Sequence, residues 1–92
     1  MGEFVKSRLD YLKSGTVVEV VLSGSASEVF LADDANLRKL EGGDVSGFRG
    51  YGGAVDQSPV RLVVPSSGTW NVVVIPMGGI VTVTSVRWFA AA

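Results

Sequence analysis

A quarter of this chain is β-branched: 17 valines, 2 isoleucines and 4 threonines among 92 residues. Two heavy branches on Cβ crowd a helical turn but lie comfortably on a pleated strand. That bias restricts the chain to mainly β folds. The clearest strand runs from Thr16 to Leu22, where Val18, Val20 and Leu22 occupy one alternating face and Val17 and Val21 the other, with Glu19 the lone charge. Apolar residues on both faces predict a central strand. Ser23-Gly24-Ser25-Ala26 reads as a short turn into a strand over Ser27 to Ala32, forming an N-terminal hairpin. A further strand is expected near Phe4 to Leu12.

One helix is predicted. Asp33-Asp34 can cap free backbone N–H groups, Leu37 and Leu40 fall three apart on one face, and Gly42-Gly43 stops the helix, placing it near residues 34–41. From Glu41 to Gly53 six glycines with Phe48, Arg49 and Tyr51 show no sustained period, so this stretch reads as a long loop entering a strand near Ala54. The remainder reads as a three-stranded meander: Val60 to Val64, a turn at Pro65-Ser66-Ser67-Gly68, Thr69 to Ile75, a turn at Pro76-Met77-Gly78-Gly79, then Ile80 to Phe89. In this last strand the apolar residues change parity near Thr84, which predicts a bulge or a crossing between sheets. Six or seven short antiparallel strands plus one short helix predict a β-sandwich or partly open barrel.

Size and composition narrow the function. A mass of 9.6 kDa suits one domain over residues 1–92, and a mean hydropathy of +0.37 suits a chain that folds. There is no cysteine and no histidine, which removes thiol and imidazole nucleophiles, His general bases, disulfides and Cys/His metal sites. Eight basic against nine acidic residues leave a net charge of -1, without the basic excess of a nucleic-acid binder. No apolar run approaches the roughly 18–20 residues that span a bilayer, and Met1-Gly2-Glu3-Phe4-Val5-Lys6 offers neither a leader core nor an acylation signal. The expectation is a soluble cytoplasmic chain with no nucleic-acid and no membrane partner.

Tyr51-Gly52-Gly53-Ala54-Val55, Ser58-Pro59-Val60-Arg61-Leu62 and Val64-Pro65-x-Ser67-Gly68-x-Trp70-x-Val72-Val73-Val74 resemble the bacterial domain of unknown function 1883 family. Leu9-x-Tyr11-Leu12-x-x-Gly15-x-Val17-Val18-Glu19-Val20 is similar to that family's opening, so the likeness spans nearly the whole chain. The resemblance implies a small β-sandwich without an assigned reaction, found alone or joined to other modules, including signalling domains of the Toll/interleukin-receptor type. Relatives often carry His where this chain has Ala54 and Ser66, so a role needing those imidazoles does not transfer.

Among candidate sites, the segment Gly47-Phe48-Arg49-Gly50-Tyr51-Gly52-Gly53 could cradle an anion through exposed N–H groups and Arg49. It has no G-x-G-x-x-G, because Val55 stands at the third glycine position, and glycines used for positive φ and close packing explain it as well. Arg61 and Arg87 alternate with apolar neighbours and should face solvent. They could lie over their own strands or pair with Tyr51 or Trp70 as a cation–π face. Trp70 and Trp88 suit packing more than sugar stacking. Asp33-Asp34 suits capping, and Glu41 and Asp44 could form only a weak metal site. Serines and threonines lack a His base and no Ser-x-x-Lys is present, so no enzyme, cofactor or metal is expected. The candidate ligand- or partner-binding residues are therefore Arg49, Tyr51, Gly52, Gly53, Arg61 and Trp70. They belong to a non-catalytic protein-recognition or structural module that binds a protein partner or a second copy of itself. The alternative is a sensor of a sugar or anionic metabolite.

Overall fold

The alternating apolar pattern resolves into seven strands and one helix. A computed structural model describes residues 4–44 and 46–90; the Met1-Gly2-Glu3 segment read for leader and acylation signals lies outside them. In chain order the elements are β1 (Val5–Leu12), β2 (Val17–Gly24), β3 (Ser27–Asp33), α1 (Asp34–Glu41), β4 (Tyr51–Val55), β5 (Val60–Val63), β6 (Gly68–Pro76) and β7 (Val81–Phe89). They form two antiparallel sheets, one ordered β1-β6-β3-β4 and the other β5-β2-β7. The result is a sandwich, not a closed barrel.

The core lies between the sheets. Val18 and Val20 from β2 meet Val29 and Leu31 from β3 and Val72 and Val74 from β6, all buried. Full burial of each such side chain contributes roughly 1.5–3 kcal/mol. A second cluster covers the other face of the four-stranded sheet: Leu40 and Leu37 of α1 and Phe48 of the following loop pack with Ala32, Phe30, Val73 and Ile75. Residue β6 position Val73 is thus buried beneath the helix while its neighbours Val72 and Val74 fill the sandwich. The helix occupies the predicted span, with the Asp33 side chain accepting a hydrogen bond from the Asn36 N–H.

Two sequence expectations are corrected. No hairpin joins β2 to β3, because Ser25 and Ala26 carry the chain from one sheet to the other; β2 lies between β5 and β7. As predicted, β2 is central in its sheet. The meander is also absent: β6 sits between β1 and β3, while β5 and β7 flank β2 in the other sheet. The physical reason is face polarity. β6 is apolar on both faces and takes an inner place in the sheet that is covered twice. β5 and β7 each carry an arginine on one face, and Glu19 at the middle of β2 needs cations across from it.

The parity change in β7 is a bulge. Val21 pairs with Ser85 and Leu22 with Val83, leaving Thr84 as the extra residue, with its hydroxyl donating to the Val21 carbonyl at 2.9 Å. A second register shift lies in β1 between Arg8 and Tyr11, and it lets Leu9 and Leu12, three apart, both reach the core. A regular strand would send them to opposite faces.

Candidate functional site

The six residues picked out by sequence do not converge. Tyr51 opens β4 opposite Leu31. The residue is 54% exposed, and its ring meets Trp70 edge to face, with centroids 5.7 Å apart at 77°. Trp70 is a core residue whose indole N–H donates to the Ser66 carbonyl at 2.9 Å. Gly52 lies so close to the Val29 carbonyl on β3 that a Cβ there would collide with it, and its φ is 151°. Gly53 pairs with Val29 in register. Gly52 therefore serves a close backbone approach.

Arg49 is held elsewhere. Its backbone N–H donates to Asn36 Oδ1 at 2.8 Å, tying the loop to α1, and Phe48 packs edge to face on Phe30 at 5.7 Å. The loop is anchored on the helix side of the four-stranded sheet, whereas the Tyr51 ring reaches the sandwich side. Arg61 belongs to the other sheet altogether. The expected cation–π face with Tyr51 or Trp70 gives way to an ion pair with Glu19, because Arg61 projects from the outer face of β5 and Trp70 from the inner face of β6.

That outer face has the most definite electrostatic arrangement in the molecule. Val18 and Val20 point into the core, so Val17, Glu19 and Val21 point outward. Register places Arg61 and Arg87 on either side of Glu19, and Val63 and Phe89 on either side of Val17. Arg61 Nε donates to Glu19 Oε2 at 3.1 Å; Arg87 Nε donates to Oε1 at 2.7 Å, and its Nη2 lies 2.6 Å from the same oxygen as an ion pair. Glu19 is only 4% exposed, while the two arginine side chains remain 65% and 69% exposed. Hydrogen bonds from Arg87 first, then Arg61, hold the Glu19 carboxyl below its ordinary titration range. The surface thus shows two guanidinium groups with their shared carboxylate underneath. One signal could have found this row: β5, β2 and β7 contain a single charged residue each.

A cleft of about 360 Å³ lies between β1 and α1, lined by Lys6, Arg8, Asp34, Arg38, Glu41 and Asn71 among others. Lys6 pairs with Glu41, Arg8 approaches Asp34 at 3.8 Å, and the buried Asn71 donates to Asp34 Oδ1 at 2.9 Å and to the Ala32 carbonyl at 3.1 Å. Asp44 accepts from the Gly47 N–H at 2.9 Å, closing a turn. Glu41 and Asp44 are therefore occupied separately, and among the described residues no group of three potential metal-ligating side chains forms. Among those residues no helix is long and apolar enough to cross a membrane.

Two antiparallel sheets packed on one core, with a helix closing one outer face and an ionic row on the other, define a small β-sandwich domain. Over residues 3–90 the chain matches the model of the family described as Domain of unknown function (DUF1883), and it belongs to that family. No curated protein and no solved structure matches it.

Proposed function

We propose that this domain is a non-catalytic protein-recognition module and that its docking surface is the outer face of the β5-β2-β7 sheet. One observation carries the reading: α1 and Phe48 cover the outer face of the four-stranded sheet, while the three-stranded sheet leaves Val63 60% and Phe89 44% exposed beside Val17. Neighbouring apolar side chains on an uncovered sheet mark an interaction surface more than scattered ones do. The absence of His and Cys from the chain and the use of Asp33, Asp34, Glu41 and Asp44 as partners of backbone N–H groups, a side-chain amide or cations support a role without catalysis. The glycine loop, bound to α1 through Asn36, suits support of the fold better than partner contact.

Replacing Val63 with a photoreactive benzoylphenylalanine tests this. Irradiation in cells should give discrete protein adducts that disappear when Val17→Asp is added, and none from the same group at exposed Ala35 on α1. Adducts formed equally from both positions would refute the assignment.

The cleft between β1 and α1 favours a second reading, the sensor of a small anionic ligand, because Lys6, Arg8 and Arg38 line it. Carboxylates already engage two of those cations, so the first reading is preferred. Calorimetry against sugars and anionic metabolites should give no saturable heat; a saturable heat lost on Arg38→Ala would reverse the preference.

A further inference from the structure

We infer that the occupant of this open face is an extended acidic segment of a partner protein, with a carboxylate received between Arg61 and Arg87 and an apolar side chain seated on Val17, Val63 and Phe89. The inference rests on the docking reading above and adds the chemistry of the partner.

The charge balance of the face points to an acid. Glu19, Arg61 and Arg87 are the only charged residues in the three strands, so the face carries one positive charge in excess. Its one carboxylate is buried and both cations are exposed, so an approaching molecule meets guanidinium groups. They grip opposite oxygens of one carboxylate, which fixes their spacing and orientation. Arg61 reaches Glu19 through Nε, and among the described residues its two terminal nitrogens and Nη1 of Arg87 have no hydrogen-bond partner. Oriented guanidinium donors suit a second carboxylate.

The apolar row supplies the spacing. Val17 lies two residues from Glu19, as Val63 does from Arg61 and Phe89 from Arg87. Two residues along a strand cover about 6.6 Å, which is also the distance between same-side residues of an extended segment aligned with these strands. The partner therefore carries Asp or Glu two positions from a large apolar residue. A second copy docking by the same face does not fit. It would set two further arginines against these two and bring the excess positive charge of both faces out of water.

Panning a random peptide library against the folded domain tests this, with anisotropy for affinity and amide NMR for location. Selected peptides should carry an acid two positions from an apolar residue and shift amides of Val17–Val21, Val60–Val63 and Arg87–Phe89. Their affinity should fall about tenfold or more with Arg87→Gln, and equally with Val63→Asp, which lies at an exposed position and leaves the Glu19 ion pairs in place. Peptides that bind this face without an acid, or that respond to Val63→Asp but not to Arg87→Gln, would overturn the acidic partner and leave the docking face standing. A selection that yields nothing on this face would overturn both. Inorganic phosphate alone reproducing the full set of shifts would replace the peptide with a free anion.

Discussion

Glu19 is an acid almost sealed from water on a sheet face that no described element covers, and two arginines make that tolerable. Because they hold its carboxyl below the ordinary value of 4.5, the folded state binds a proton there less readily than the unfolded chain does. The resulting stabilisation is fully present above that ordinary value and is lost as pH falls through the lowered folded one. The thermal midpoint of the native protein should therefore drop on acidification below that range, while Glu19→Gln starts lower at neutral pH and declines less steeply. Parallel midpoint curves for the two proteins would show that the ion pairs contribute nothing. Glu19 was visible in the sequence as the one charge in an apolar strand, and Arg61 and Arg87 as solvent-facing residues. Their meeting was not visible, since they lie 42 and 68 residues from Glu19 along the chain and no local rule pairs residues that far apart.

Single elements were legible wherever a local pattern has one structural meaning. The capping carboxylate, the two leucines and the glycine stop define α1 because each acts within a turn or two of the chain. Asp33 accepts from both the Asn36 N–H and its side-chain amide, so Asp33→Ala should cost about 1 kcal/mol, a midpoint loss of roughly 4–8 °C for a domain of this size. Thermal unfolding followed by circular dichroism measures it; an unchanged midpoint would mean the helix is held by packing alone. The β7 bulge was legible for a related reason, since a change of apolar parity has few explanations. The hairpin and the meander were misread because Gly- and Ser-rich turns serve equally for a return within one sheet and for a passage to the other. In β1 the three-residue spacing of Leu9 and Leu12 signals its register shift, yet by itself it also fits a helix turn.

For the whole molecule, the two faces of β6 bind the architecture together. Val73 lies under α1 with Ala32 and Leu40, and its neighbours fill the sandwich, so Val73→Asp should abolish cooperative unfolding. A buried unpaired carboxylate costs several kcal/mol, comparable to the roughly 5–15 kcal/mol that stabilises a typical domain. Tyr51→Ala should leave a folded protein with a modestly lower midpoint, because it removes one edge-to-face contact with Trp70, a loss of about 0.5–1.5 kcal/mol. Calorimetric scans of both variants check the pair. A Tyr51→Ala protein as unstable as Val73→Asp would make that end of β4 part of the core.

By itself the sequence determined the class of fold, the positions of most strands, the helix with its cap, the break in β7 and the central place of β2, because side-chain branching, alternation and capping act over a few residues. Tertiary structure alone decided which strands are neighbours, that one sheet is covered by the helix while no described element covers the other, and that a buried glutamate collects two arginines from distant strands. Those outcomes depend on which pairing buries both apolar faces of β6 and β3 while giving Glu19 its cations, a choice made by the whole chain.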